Sequence, residues 1–130
     1  MLASLAMRLI RTDTQDTGRR RRRFAFELSR TSRATVMTLR GELDVVCADA
    51  FKRRFAEATE DEPAHVVVDV RELTFIDSTG LALLLGVNEM SQDGGFELSI
   101  ISTDGDAPSK IFRMTGTDKI LPLVDEPPDF

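Results

Sequence analysis

His65-Val66-Val67-Val68-Asp69-Val70, followed shortly by Phe75-Ile76-Asp77-Ser78-Thr79-Gly80-Leu81, is the stretch that decides the architecture. A nearly continuous β-branched run marks a strand buried on both faces, the usual state of a strand inside a parallel sheet. Leu73 to Asp77 reads as a loop, and a helix runs from Ser78 to about Gln92, where Asp93-Gly94-Gly95 stops it. Upstream, Phe24–Leu28 and Thr35–Leu39 alternate apolar and polar residues around a polar turn, Ser29–Ala34, which predicts an antiparallel hairpin. Asp44 then opens a segment in which Val46, Ala50, Phe51, Phe55 and Ala58 recur at helical spacing, and Pro63 closes it. Downstream, Phe96–Ile101 is another strand. Pro108–Met114 is a short helix, with Pro108 in its first turn and Gly116 as its stop. Ile120–Val124 contains Pro122 and is at most an edge strand. The order β-β-α-β-α-β-α-β predicts one α/β domain: a mixed sheet of four to five strands, Val66–Val70 central, helices mainly on one face.

A chain of 130 residues suits one domain. We place it at residues 24–124, after an Arg-rich extension over 1–23 expected to be disordered and before a short tail over 125–130. Residues 1–23 carry a net charge of +5 and the remainder −10. An acidic body argues against nucleic acid as a partner, and the run Arg19–Arg23 reads as a solvated arm. Cys47 is the sole cysteine, so no internal disulfide can form. No apolar run approaches the roughly 20 residues that span a bilayer, and Arg8 and Arg11 interrupt the N-terminus too soon for a secretory signal. The expectation is a cytoplasmic protein with no membrane partner.

Enzyme chemistry finds little purchase. Ser78 sits in Asp-Ser-Thr-Gly, not in a Gly-x-Ser-x-Gly elbow. The one histidine, His65, begins the buried strand and reads as structural. Cys/His clusters for zinc and a Gly-rich loop with lysine for phosphates are both missing, and Asp104-Gly105-Asp106 lacks the ligand spacing of a calcium loop and reads as a turn. No catalytic residue, metal or cofactor is expected, although a serine hydrolase built on Ser78 remains a competing reading.

Ser78 is placed where sites tend to form, after a buried parallel strand and at a helix N-terminus with unpaired N–H groups and a positive dipole end. Asp77 or Ser78 can cap that helix. A phosphate on Ser78 would find donors there but would sit beside Asp77. Stepping back from Asn88, Glu89 and Gln92 by three and four reaches Leu85, Leu81 and Ser78. That phase predicts an exposed apolar patch of Leu81 and Leu85 beside the hydroxyl, with Leu83, Leu84, Val87 and Met90 in the core. The plainer reading, that Asp77 and Ser78 are caps and nothing more, stays open on these grounds.

Gly41-Glu42-Leu43-Asp44, Val66–Val70, Phe75 to Leu81 and Ile111-Phe112-Arg113-Met114-Thr115-Gly116 together resemble the bacterial anti-sigma factor antagonists of the STAS domain superfamily. The resemblance runs from about Phe24 to Val124. It implies a small mixed α/β domain whose unphosphorylated form binds an anti-sigma factor, itself a serine kinase of the histidine-kinase-like ATPase fold, and so frees a sigma factor. By the same resemblance Ser78 is the phosphoacceptor, phosphorylation ends binding, and a metal-dependent serine phosphatase restores it. Asp44 and Asp77 match acidic positions flanking the acceptor, with Thr79, Gly80, Leu81 and Leu85 on the partner-binding surface. Many relatives carry a second glycine where this chain has Ala82. The alternative is a STAS module that is not phosphorylated and scaffolds a transporter or signalling complex.

Overall fold

The computed structural model describes residues 11–16 and 23–128. Its strands are β1 (Arg11–Asp16), β2 (Arg23–Arg30), β3 (Ala34–Leu43), β4 (His65–Ile76), β5 (Glu97–Ile101) and β6 (Leu123–Val124). Its helices are α1 (Ala48–Thr59), α2 (Ser78–Gly94) and α3 (Ala107–Thr115). The strands lie side by side in chain order in one sheet. β1/β2 and β2/β3 are antiparallel, and β3/β4, β4/β5 and β5/β6 are parallel. β4 is interior, as the Val66–Val70 run requires.

Every parallel step moves the same way across the sheet, so right-handed crossovers put their helices on the same face. The core shows this directly. Phe24, Phe26, Leu28, Met37, Leu39, Val66, Val68, Val70, Leu98 and Ile100 share a cluster with Phe51 and Phe55 of α1, Leu84 and Val87 of α2, and Phe112 of α3. Each such large side chain, fully buried, contributes roughly 1.5–3 kcal/mol. Arg54 of α1 lies over the Phe26 ring at 5.3 Å, tying that helix to β2. On the opposite face Arg40 reaches Glu27 at 3.2 Å and Glu72 at 2.9 Å, and Arg71 pairs with Asp69 at 2.8 Å.

Several expectations need correction. The five strands from Arg23 onward match the predicted number, but a sixth, Arg11–Asp16, comes from the extension expected to be disordered. Residues 1–10 and 17–22, including most of the arginine run, lie outside the described residues. β4 continues to Ile76, so Leu73–Asp77 is mostly strand rather than loop. An irregularity opposite Thr38–Arg40 turns Arg71 and Glu72 outward and hides the continuation from a hydropathy reading. The Asp44 segment opens not with α-helix but with a 3₁₀ turn, Val45–Cys47, which leaves Val46 exposed while Ala50, Phe51, Phe55 and Ala58 are buried as spaced. Asp104-Gly105-Asp106 is a turn: Gly105 has φ 101°, and Asp106 caps α3 by accepting from Ser109 N at 2.9 Å.

Candidate functional site

The two central parallel strands end in register. Leu43 pairs with Ile76, so the next residues, Asp44 and Asp77, leave the sheet side by side. Each is an N-cap in extended conformation. The Asp44 carboxylate accepts from Val46 N at 3.0 Å, and the Asp77 carboxylate accepts from Gly80 N at 2.9 Å. The backbone N–H of Asp77 in turn reaches Leu43 O at 3.4 Å. Asp44, Asp77 and Ser78 therefore share the carboxyl end of the sheet. Asp44 is 2% exposed and Asp77 half-buried, whereas Ser78 is exposed and Thr79 partly so.

Cys47 completes the Asp44 cap from below. Its Sγ accepts from the Asp44 N–H at 3.4 Å, the place a Glu or Gln takes in a capping box. Burial pushes its thiol up to about 11, with the hydrogen bond from the Asp44 N–H to the sulfur pulling the other way. It is a structural thiol rather than a nucleophile.

Gly80 sets how close α2 comes to β3. A Cβ there would collide with the Leu43 carbonyl oxygen and lie 2.8 Å from Ile76 Cγ1. This close approach seats the first turn of α2, and with it Ser78, directly on the strand ends.

The expected patch of Leu81 and Leu85 is not at the surface. Leu81 is 8% exposed and belongs to the core, and Leu85 packs partly buried against it. The predicted phase was off because Asn88, taken as a marker of the wet side, is itself buried, while Met90, assigned to the core, is 48% exposed. The apolar surface at this end is supplied by other residues, among them Val46, which its spacing had placed on the apolar face of a helix. Val45 (66% exposed) and Val46 stand on the 3₁₀ turn, and Phe75 stands near the end of β4. Glu42 pairs with Phe75 just before the two caps, so Phe75 stands near the same end of the sheet, on the face opposite the buried Ile76. The available signal was Val-Val following a strand-terminal capping aspartate, where a turn leaves both outside.

Ser78 has no histidine base. His65 stands at the opposite end of β4, roughly 35 Å away at the usual strand rise, where Nε2 is 2.9 Å from Ser99 Oγ. Among the described residues there is no group of three or more His, Cys, Asp or Glu that could hold a metal ion, and no helix long and apolar enough to cross a membrane.

Ser78 thus stands on the first turn of a helix, beside two aspartate caps, at the carboxyl end of a mixed sheet. Residues 25–128 match the STAS domain, and the chain belongs to that family. Within the family it is 29% identical over 91 residues to an anti-sigma F factor antagonist of Paenibacillus polymyxa, covering 69% of this chain and 77% of that one. It is 32% identical over 54 residues to the anti-sigma-F factor antagonist RsfB of Mycobacterium tuberculosis, covering 42% and 44% respectively. The fold resembles that of an anti-sigma factor antagonist from Mycobacterium paratuberculosis, with TM-score 0.66 and 23% identity over 91% of this chain and 87% of that one. It also resembles SpoIIAA in its unphosphorylated form, with TM-score 0.62 and 21% identity over 78% and 89%.

Proposed function

We propose that this domain is an anti-sigma factor antagonist: unphosphorylated, it binds an anti-sigma factor that is also a serine kinase, and phosphorylation of Ser78 ends the binding. The observation that carries the reading is an exposed Ser78 hydroxyl on a helix N-terminus, backed by the Asp44 and Asp77 caps, with Val45, Val46 and Phe75 exposed at the same end of the sheet. The names of the relatives support the antagonist part of this reading.

The physics of the switch is local. A phosphate adds about −1.5 to −2 charges. The unpaired N–H groups and dipole of α2 offset part of that charge, so the fold survives. The partner meets a different surface, because a dianion now stands among apolar side chains that were to be desolvated, next to the Asp77 carboxylate. A penalty of about 2.8 kcal/mol weakens binding a hundredfold. No rearrangement of the domain is required. A metal-dependent serine phosphatase would reverse the step by restoring the hydroxyl.

Purified kinases of the histidine-kinase-like ATPase fold from the same genome, mixed with the domain and ATP, should phosphorylate it at Ser78 by mass spectrometry. Ser78→Asp should stay folded and fail to bind, and Ser78→Ala should bind and resist inactivation by ATP. Phosphate mapping elsewhere, with Ser78→Asp binding normally, overturns the reading.

A further inference from the structure

The outer side of α2 carries no charge from Ser78 to Asn88, an unusual composition for a helix face left in water. Ser78, Ala82 and Gly86 follow one another at four-residue spacing, so they stack along one stripe about 12 Å long. Ala82 is exposed and Gly86 half-exposed. Across from this stripe lie Phe51, Phe55 and Ala56 of α1, and the two helices enclose an apolar groove of about 350 Å³ closed at its far end by Met90. One cation, Lys52, stands on its rim. Lys52 has no ion pair among the described residues.

Gly86 adds a further observation. A glycine in mid-helix disfavours the helix relative to alanine. A Cβ on Gly86 would meet no atom within 4 Å, so the packing of the domain itself does not require the missing side chain. At Gly80, six residues earlier, a Cβ strikes β3. The open stripe along Ala82 and Gly86 is a surface that another backbone can approach closely.

We infer that the groove between α1 and α2 is part of the partner interface and receives one amphipathic helix of the anti-sigma partner, laid along Ala82–Gly86 with a carboxylate against Lys52. The inference rests on the function proposed above. The groove opens one helical turn from Ser78, so a single body can cover both. Small residues at 82 and 86 let a helix come close, Phe51 and Phe55 form the apolar floor, and helix-in-groove docking needs little more. The serine then acts as a gate at one end of a longer contact.

The test uses the full chain, the purified histidine-kinase-like ATPases of the same genome, and calorimetric titration. Gly86→Leu fills the groove without touching the site around Ser78. It should fold as the wild type does by circular dichroism and weaken kinase binding at least tenfold. Lys52→Glu should weaken binding about fivefold, and a compensating charge reversal in the partner segment should restore it. Hydrogen exchange on the kinase should show one contiguous protected segment that loses protection with Gly86→Leu. If the wild type binds and Gly86→Leu binds equally, the groove inference alone falls. If the wild type binds no such kinase, the functional reading falls and takes the groove with it. If the free protein dimerises in sedimentation runs and Gly86→Leu abolishes the dimer, the groove belongs to a second copy and the inference is overturned.

Discussion

Replacing Gly80 by alanine puts a methyl group where the structure has no space for one. The added Cβ meets the Leu43 carbonyl oxygen and lies 2.8 Å from Ile76 Cγ1, so α2 must lift from the strand ends or β3 must move. Overpacking of this kind costs about 1–3 kcal/mol. Alanine recovers part of that through helix propensity, up to about 1 kcal/mol, and less in the first turn. The same substitution at Gly86 meets nothing, so it should stabilise by about 0.4–1 kcal/mol. Two identical changes in one helix thus carry opposite signs, separated by about 2–3 kcal/mol. Urea denaturation of both variants, read at a common m-value, gives the difference. Gly80→Ala should also slow phosphorylation of Ser78, because the first turn of α2 no longer sits in register with the caps. Gly80→Ala as stable as the wild type, or both variants shifted in the same direction, would refute the close-approach argument.

Other expectations follow from neighbouring residues. Asp77→Ala removes the cap on Gly80 N and should cost about 1 kcal/mol in chemical denaturation, with Asp77→Ser restoring most of it. Leu81→Ala should destabilise by about 2–5 kcal/mol, since the side chain is core, while Val45→Asp should change stability by less than about 0.5 kcal/mol and abolish kinase capture in a pull-down. Cys47 should resist alkylation at pH 8 until the chain is unfolded, as thiol titration in and out of urea will show. Because its folded pKa is raised from 9.0 to about 11, the native state holds this proton more tightly than the unfolded chain. Stability from this group is therefore complete below pH 9 and is lost as the pH climbs to 11, by at most about 2.7 kcal/mol, a slope absent from Cys47→Ala.

The mixed sheet with β4 in its interior and the three helices were legible because their signals were local and strong. The valine run of β4 and the Phe-x-x-x-Phe spacing of α1 are examples. Terminal residues placed α2 and α3 well, since Asp77, Pro108, Gly95 and Gly116 act as their chemistry suggests, whereas Asp106, read as part of a turn, also caps α3. The phase of α2 was not legible. A helix reading STGLALLLGVN offers apolar residues on every side, so its wet face was inferred from three polar residues, of which Asn88 proved buried. The error moved the expected surface from Ala82, Leu83 and Gly86 to Leu81 and Leu85. The exposure of Val45 and Phe75 was missed for a different reason, since apolar side chains on a turn and at a strand end carry no periodicity to betray their direction, and Val46 fell by chance on the period of a helix that starts only at Ala48. β1 escaped because RTDTQD contains no apolar residue, and alternation was the criterion for a strand.

That last strand has a consequence for the behaviour of the protein in concentrated solution. The family match begins at residue 25, so β1 lies outside it, and without β1 the hairpin strand β2 would be the margin of the sheet. β2 is eight residues long and sends Phe24, Phe26 and Leu28 into the core, so its unpaired amides and carbonyls would form a long, regular template for a neighbouring chain. Pairing along all six residues of β1 uses up that template. The margin passes to a segment holding one arginine and two aspartates, a sequence with little tendency to recruit another strand. The sheet is thereby guarded along this side against adhering to copies of itself.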